Sequence, residues 1–193
     1  MRILVVHAHP VASSFNASLF RLTTDRLEKA GHEVDVIDLY ADGFDPVMSE
    51  AERLTYHDLS VNRQPVADYV ERLLAAQALV LVYPVWNYGF PAILKGWFDR
   101  VFLPGVSFGL VDGKVQPTLH NIERILVVTS YGGSRFRSWL MGDPPRRIAN
   151  RMLRATIKPG AKVKYLAHYA MNLSTPETRH AFMTRVERAL DTF

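Results

Sequence analysis

The chain has 193 residues and a formal net charge of +4 at pH 7, and 48% of its residues are hydrophobic. This composition is typical of a globular protein with one full core, so we expect a single domain over residues 1–193. There is no cysteine, which excludes disulfide bonds, thiolate metal sites and a cysteine nucleophile. No run approaches the roughly 20 apolar residues of a membrane-spanning helix, and the apolar run after Met1 is too short for a signal peptide. We therefore expect a cytoplasmic protein without an integral membrane segment.

Short apolar runs alternate with stretches of helical periodicity along the chain. The predicted strands comprise residues 3–6, 34–39, 78–83, 125–129 and 163–167. The predicted helices comprise residues 15–30, 66–76, 91–102, 146–157 and a last helix that begins at residue 175 or 176. The last helix has one apolar face, formed by Phe182, Val186, Ala189 and Leu190. Residues 40–64 are a long connection with a polar part of helical character at 49–58, and residues 105–117 are expected to be irregular.

This alternation predicts an α/β protein with a doubly wound, five-stranded parallel sheet and helices on both faces. We expect the strand order 2-1-3-4-5, in which strands one, three and four are neighbours and a crevice lies between strands one and three. The loops that follow these three strands would then meet at the carboxyl edge of the sheet, where open α/β proteins bind their ligands.

The loop after the first strand, from His7 to Asn16, has the composition of an anion-binding site. Ser13, Ser14 and Asn16 stand where a helix begins, and the free N–H groups and dipole at a helix start favour a phosphate. His9 adds a possible donor to the same phosphate. The alternative is that Ser13 or Ser14 only caps the helix.

His7 and His9 could also be two metal ligands on one side of a strand, as in metal hydrolases built on eight-stranded barrels. Such barrels need about 250 residues, and this chain has too few strands. We therefore expect no metal, and we expect His7 to be a packed or hydrogen-bonded strand residue.

An aromatic loop follows the third predicted strand and a glycine-rich loop follows the fourth. The first comprises Pro84, Val85, Trp86, Asn87, Tyr88 and Gly89, and the second comprises Ser130, Tyr131, Gly132 and Gly133. Buried tryptophan and tyrosine need polar partners, which argues against the alternative of a pure core plug. Adjacent glycines let a ligand approach the backbone N–H groups closely, although an ordinary turn can have the same residues. A planar, partly polar, redox-active ligand would fit the two loops.

Other ligand-binding motifs are absent. No G-x-G-x-x-G follows a strand, and there is no Walker A sequence and no G-x-S-x-G elbow. Seven basic residues between Arg135 and Lys158 carry much of the positive charge and form either a solvated helix face or a phosphate-docking patch. No recognised nucleic-acid motif accompanies them, so we expect no nucleic-acid partner.

The run from Pro91 to Phe102, PAILKGWFDRVF, is the most specific sequence in the chain. Together with His9, Ser14-Phe15-Asn16, the loop after the third strand and Gly132-Gly133, it resembles the NAD(P)H:quinone oxidoreductase family, the DT-diaphorase-like branch of the flavodoxin-fold flavoproteins. The resemblance covers Arg2 to about Ser134 and is poor from Arg135 onward. It implies that the predicted sheet has the flavodoxin-like topology.

The resemblance also implies a tightly bound flavin, with NADPH or NADH as co-substrate. The match at His9 and Ser14-Phe15-Asn16 favours FAD, and FMN is the alternative. His9, Ser14, Phe15 and Asn16 would hold the phosphate or pyrophosphate. The isoalloxazine would contact the aromatic loop and the double glycine, so the other expected cofactor-binding residues are Pro84, Val85, Trp86, Asn87, Tyr88, Ser130, Tyr131, Gly132 and Gly133. The implied reaction is ping-pong: a hydride passes from NAD(P)H to flavin N5, and a quinone-type acceptor then takes two electrons.

The chain departs from this family after the double glycine. Well-known members carry a Tyr and a His there that assist hydride transfer, whereas the segment from Ser134 to Asp143 has neither. Tyr131 and Tyr88 are therefore the expected catalytic substitutes.

Family members are usually homodimers with two sites at the interface, so the resemblance implies a homodimer. Trp97, Phe98, Phe102 and the loop 106–108 would suit burial between subunits, and the equally weighted alternative is that they belong to the ordinary core.

Two other functions stay open at this point. One is a non-enzymatic electron carrier like flavodoxin, although such carriers are typically acidic and use a Ser/Thr-rich phosphate loop. The other is a regulatory flavoprotein subunit of a membrane transporter, with which the basic surface is compatible.

Overall fold

A computed structural model describes the whole chain from Met1 to Phe193. The strands are β1 (Arg2–His7), β2 (Glu33–Asp38), β3 (Ala78–Val85), β4 (Phe108–Val111), β5 (Lys114–Pro117), β6 (Arg124–Tyr131) and β7 (Lys162–His168). The α-helices are α1 (Phe15–Lys29), α2 (Glu50–Leu54), α3 (Ala67–Ala75), α4 (Ala92–Val101), α5 (Arg135–Leu140), α6 (Pro144–Arg147), α7 (Arg154–Thr156) and α8 (Pro176–Leu190). Single 3₁₀ turns lie at Gln64–Val66 and Met171–Leu173, and a π-helical segment at Ile148–Leu153 joins α6 to α7. None of these helices combines the length and apolarity that crossing a membrane requires.

Five of the strands form one parallel sheet in the order β2-β1-β3-β6-β7. The predicted five-stranded parallel sheet is confirmed, and this order agrees with the expected 2-1-3-4-5 once the two strands of a separate hairpin are left out of the numbering. The central strands are apolar along almost their whole length because helices cover both faces of the sheet. All eight residues of β3 are buried.

The core has two parts, one on each face of the sheet. On one face, Val70 and Leu73 of α3 and Leu94 of α4 pack in a cluster of 33 buried residues. On the other face, a cluster of 14 buried residues joins α1 to α8. The predicted apolar face of the last helix, Phe182, Val186, Ala189 and Leu190, is buried there in full.

The segment 105–117, predicted to be irregular, contains the antiparallel hairpin of β4 and β5. Its turn is Asp112-Gly113, and both residues have positive φ angles, 50° and 72°. This is the geometry of a type I′ turn, for which Asp-Gly is a preferred sequence. The prediction was wrong here because the glycine at position 113 forms the hairpin turn and does not interrupt regular structure.

Strands β3 and β6 are longer than predicted. β3 runs to Val85 and β6 to Tyr131, in the register Pro84↔Ser130 and Val85↔Tyr131, so these four residues belong to strands and not to loops. β1 ends opposite Val82, so the last part of β3 pairs only with β6. No strand pairs with Pro84 on the side of β1, so no backbone N–H is required there. A strand accepts proline at such a position, because proline has no N–H to donate.

The long connection from residue 40 to 64 is packed against α4. Arg100 of α4 forms a nearly buried ion pair with Glu52, with 2.6 Å between Nη2 and Oε1, and also donates to the Asp45 carbonyl. A Cβ atom added at Gly96 would lie 2.3 Å from the carbonyl oxygen of Pro46, so the connection and the helix touch through their backbones. The short helix α2 lies within the predicted polar stretch.

The second half of the chain contains helices that the prediction placed only in part. The predicted helix 146–157 is present but begins at Pro144, and its middle turn is π-helical. Helix α5, which is capped by the Ser134 side chain, was missed. Only six residues long, α5 lacks the periodicity that identifies a helix in a sequence.

Candidate functional site

A crevice opens at the carboxyl edge of the sheet, at the ends of β1, β3, β6 and β7. It has two adjoining parts of about 260 Å³ and 300 Å³, which share Val85, Gly132 and Asn172. The structure brings all thirteen expected cofactor-binding residues to its lining: His9, Ser14, Phe15, Asn16, Pro84, Val85, Trp86, Asn87, Tyr88, Ser130, Tyr131, Gly132 and Gly133. That they bind a cofactor stays a prediction.

The start of α1 supplies backbone donors to the crevice. Ser14 is the N-cap, and its hydroxyl accepts a hydrogen bond from the Ala17 N–H at 3.0 Å. The N–H groups of Phe15 and Asn16 have no acceptor within the chain. Ser14 therefore has the capping role of the alternative interpretation, while the two free N–H groups at the positive end of the helix leave an anion site open.

His9 is held in one tautomer by the loop that it belongs to. Its Nδ1 accepts a hydrogen bond from the Val11 N–H at 3.0 Å, so in the neutral ring the proton is on Nε2. Burial, with a smaller effect of His7, lowers the pKa of His9. The ring is therefore neutral at pH 7, and it presents an Nε2–H donor to the lining of the crevice.

Asn16 is the most unusual polar residue of the crevice. Its side chain is buried, with 3% of the residue exposed, and neither the amide oxygen nor the amide nitrogen has a hydrogen-bond partner. A buried amide without partners costs about 1–3 kcal/mol, and such groups are rare unless something binds them. Since Asn16 lines the crevice, its amide is placed to receive a ligand.

His7 has the packed, hydrogen-bonded role that we expected. Its Nδ1 lies 3.0 Å from Oδ2 of Asp38 at the end of β2, and its ring stacks on Phe20 of α1 at 4.4 Å. His7 and His9 are therefore engaged with different partners, Asp38 and the Val11 N–H.

The aromatic loop after β3 is a tight two-residue turn. Trp86 and Gly89 exchange two backbone hydrogen bonds, and the residues between them, Asn87 and Tyr88, both have positive φ angles of 48° and 57°. This is again type I′ geometry, and a tyrosine in the left-handed region costs about 1–2 kcal/mol. Trp86, at the start of this turn, is 42% exposed and lies beside His9 in the lining of the crevice.

Tyr88 reaches across the crevice to the double glycine. A Cβ atom added at Gly133 would lie 3.2 Å from the Tyr88 hydroxyl, so the phenol lies close to the Gly133 backbone. The Gly133 carbonyl accepts from the Ala170 N–H at 2.8 Å, which ties the loop after β6 to the loop after β7. The phenol of Tyr88 thus lies at the part of the crevice formed by Gly132 and Gly133.

Tyr131 lines the crevice, but its hydroxyl is turned into the protein. The hydroxyl is 2.6 Å from Oδ1 of Asp143 and 2.6 Å from the hydroxyl of Tyr165. Burial, together with Tyr165 and Asp143, raises the pKa of Tyr131, so the phenol stays protonated. The Tyr131 hydroxyl is thus engaged with Asp143 and Tyr165 within the protein, which does not favour its expected catalytic role; that role stays a prediction.

Sequence reasoning missed three lining residues: Arg137, Met171 and Asn172. Met171 and Asn172 follow β7, whose carboxyl end lies at the same edge of the sheet, so the strand-end argument used for the other loops would have found them. A Cβ atom at Gly132 would lie 3.6 Å from the Asn172 amide, which faces the double glycine. Arg137 belongs to α5, and the sequence singled it out only as one of the basic residues of the segment 135–158.

The basic residues of the segment 135–158 lie in three environments: the crevice lining, an ion pair and the exposed surface. Arg137 lines the crevice, and Arg146 pairs with Asp143 at 2.9 Å. The remaining members, Arg135, Arg147, Arg151, Arg154 and Lys158, are exposed. Most of the segment is therefore a solvated face, as one of the two interpretations predicted.

Comparison with known proteins gives consistent matches. A family model described as the flavodoxin-like fold matches residues 1–189. The structure is similar to the NAD(P)H:quinone oxidoreductase from Methanothermobacter marburgensis, with a TM-score of 0.84, 28% identity, and coverage of 98% of this chain and 95% of that one.

Two curated relatives match over shorter regions. NAD(P)H dehydrogenase [quinone] 1 of Cavia porcellus is 30% identical over 73% of this chain and 57% of its own length. The uncharacterized NAD(P)H oxidoreductase YcaK of Escherichia coli (strain K12) is 35% identical over 60% of this chain and 59% of its own length. The matched region thus spans little more than half of these curated relatives.

Proposed function

This chain belongs to the family with the flavodoxin-like fold, and from that premise we propose that it is a flavin-dependent NAD(P)H:quinone oxidoreductase. The names of its relatives support the reaction class, since they describe an NAD(P)H:quinone oxidoreductase and an NAD(P)H dehydrogenase. The crevice at the sheet edge supports the cofactor.

The observation that carries this proposal is the unpartnered amide of Asn16 beside two free N–H groups. The amide can both donate to and accept from a ligand, and the N–H groups of Phe15 and Asn16 favour a negative one. A phosphate of a flavin has the charge and the acceptors that this end of the crevice requires. The residues present therefore fit the cofactor.

We further propose FAD over FMN. The neutral His9 adds an Nε2–H donor to those at the start of α1, so the site has donors for a pyrophosphate as well as for a single phosphate. A pyrophosphate is present in FAD and absent from FMN.

The protein's own part in the reaction is to orient the flavin and its reaction partners in the crevice and to shield them from water. A bound flavin would supply two-electron chemistry, accepting a hydride equivalent from NADPH or NADH and reducing a quinone or a similar aromatic acceptor. The strained turn Trp86–Gly89 offers aromatic faces for stacking, and the glycine backbone near Gly132 offers donors to polar ring atoms. Tyr88 is the catalytic candidate that remains, because its phenol lies at the double glycine whereas that of Tyr131 does not face the crevice.

The first test is an absorbance spectrum of the purified protein under anaerobic conditions. We expect a flavin spectrum that bleaches on addition of NADPH or NADH and returns when a benzoquinone is added. Flavin binding without bleaching would favour an electron carrier or a regulatory subunit. A protein that takes up neither FAD nor FMN would contradict the cofactor assignment.

We also propose a homodimer, on different residues from those first considered. Trp97, Phe98, Phe102 and Val106 are buried within the chain's own core, so the core interpretation applies to them. The β4–β5 hairpin instead exposes Leu110 (64%) and Val115 (67%), which face each other across its two strands. An isolated two-stranded hairpin is marginally stable in water, so we assign this exposed apolar pair to burial against a second copy of the chain.

Replacing both hairpin residues tests the dimer. We expect Leu110→Ser/Val115→Ser to shift sedimentation from a dimer to a monomer, because the pair would lose its apolar contact with the second copy. Leu54→Ser on α2, which is also highly exposed (80%), is the matched control and should leave the dimer intact. A wild-type protein that sediments as a monomer at micromolar concentration would refute the proposal.

A further inference from the structure

A hydrogen-bonded group of five side chains adjoins the double glycine, and one of them, Tyr131, lines the crevice. The group consists of Tyr131, Asp143, Arg146, Tyr165 and Tyr169, called here the Asp143 network. Asp143 accepts from the Tyr131 hydroxyl at 2.6 Å and from Nε of Arg146 at 2.9 Å. Arg146 also donates to the Tyr169 hydroxyl at 2.9 Å, and its guanidinium lies 4.5 Å from the centre of the Tyr165 ring. No step of the proposed reaction uses these groups.

The direction of each hydrogen bond follows from the chemistry of the carboxylate. An ionised carboxylate can only accept, so Tyr131 donates its single proton to Asp143. The hydroxyl of Tyr131 must then accept from that of Tyr165, 2.6 Å away. The bond from Tyr131 to the carboxylate of Asp143 is charge-assisted, and bonds of this kind are shorter and stronger than neutral ones. The phenol of Tyr131 is therefore held in one orientation, directly before Gly132 and Gly133.

The network also joins several elements that border the crevice. Tyr131 ends β6, Asp143 stands between α5 and α6, and Tyr165 and Tyr169 lie in and after β7. Asp143 itself has a positive φ of 46°, a strained conformation for a residue other than glycine. Strain of this kind persists where surrounding contacts impose it, here where a carboxylate is placed against the end of β6.

The two charges of the network differ in how they are bonded to the crevice-lining Tyr131. The negative carboxylate of Asp143 accepts directly from the Tyr131 hydroxyl, while the positive guanidinium of Arg146 is bonded to Asp143 and to the Tyr169 hydroxyl. The pair is neutral in sum, but the negative member is the one bonded to the crevice-lining residue. In a poorly solvated region such a charge acts over several ångströms.

We propose that Asp143 and Arg146 are positioning residues that set how readily a flavin in this crevice accepts electrons. The proposal rests on the proposed function. Reduction adds negative charge to the flavin, so the carboxylate of Asp143 opposes it through Tyr131, and the guanidinium of Arg146 offsets that effect. The two side chains therefore shift the midpoint potential of the flavin in opposite directions. Both also help to fix the position of the double-glycine backbone.

The test is the flavin midpoint potential of the wild type and of three variants, measured by equilibrium titration against a redox dye. We expect Asp143→Asn to raise the potential and Arg146→Gln to lower it. Each shift should correspond to about a tenfold change in the relative affinity for reduced and oxidised flavin, which is about 30 mV for a two-electron couple. Arg146→Lys keeps the charge and should return the potential to near the wild-type value.

Matched controls lie at the other end of the same strand. Glu123 and Lys158 form an exposed pair at 2.6 Å beside the start of β6, so Glu123→Gln and Lys158→Gln change the net charge identically at a remote position. These variants should leave the potential unchanged. Tyr169→Phe removes a hydrogen bond of Arg146 without changing any charge. This variant should lower thermal stability, and it should shift the flavin midpoint potential much less than the charge variants do.

The outcomes separate this inference from the proposed function. If the wild-type protein binds no flavin, the proposed function fails. If it binds and is reduced by NAD(P)H, but the Asp143 and Arg146 variants shift the potential in the same direction or not at all, the network is only structural and this inference is refuted. Opposite shifts with silent remote controls support it.

Discussion

Gly96→Ala is expected to lower the free energy of unfolding by about 2 kcal/mol or more. Alanine gains about 1 kcal/mol over glycine inside a helix, so propensity alone predicts the opposite result. However, the new methyl group would lie 2.3 Å from the carbonyl oxygen of Pro46 and 2.4 Å from its Cα atom. Overpacking against backbone costs about 3 kcal/mol, because the backbone of the connection cannot move aside as a side chain can.

Urea denaturation followed by circular dichroism measures this effect. Gly109→Ala is the matched control, since a Cβ atom there would meet nothing closer than Thr118 Cγ2 at 3.6 Å. That variant should unfold within about 1 kcal/mol of the wild type. A Gly96→Ala protein as stable as the wild type would show that α4 and the connection do not touch as described.

Asn16→Leu is expected to weaken flavin binding by tenfold or more while it stabilises the protein without ligand. The leucine removes an amide whose two polar atoms are buried without partners, which relieves a cost of about 1–2 kcal/mol. The same change removes the donor and acceptor that we assign to the cofactor, and a lost hydrogen bond to a charged group is worth about 1.5–3 kcal/mol. Stability and affinity should therefore move in opposite directions.

Thermal unfolding of the protein without ligand and fluorescence titration with FAD check the two halves of this prediction. Asn62→Leu provides the contrast, because Asn62 is also buried (5% exposed) but its amide donates to the carbonyls of Tyr56 and Pro104. Asn62→Leu should lower stability and leave FAD affinity unchanged. An Asn16 variant that binds FAD as tightly as the wild type would contradict the assignment of the Asn16 amide to the cofactor, on which the proposed function depends.

The sequence by itself determined the layers of the fold and the place of the site. Apolar runs such as 78–83, buried on both faces, predicted a parallel sheet, the alternation with helices predicted a doubly wound one, and the family resemblance implied its flavodoxin-like topology. Once the strands were in order, the loops after β1, β3 and β6 had to meet, because parallel strands end at one edge. Local signals of this kind, including the cap at Ser14, depend on neighbouring residues in the chain and can be read without the tertiary structure.

Only the tertiary structure decided which way the site's side chains face. The ends of β3 and β6 depend on hydrogen bonds between strands that are 46 residues apart, as at Pro84 and Ser130. The orientation of Tyr131 depends on Asp143 and Tyr165, and the unsatisfied amide of Asn16 depends on burial by several elements. Each is set by long-range contacts, which local periodicity does not contain. The sequence therefore placed thirteen residues at one crevice, and tertiary packing determined that Asn16 is left to a ligand while the Tyr131 hydroxyl is turned away from one.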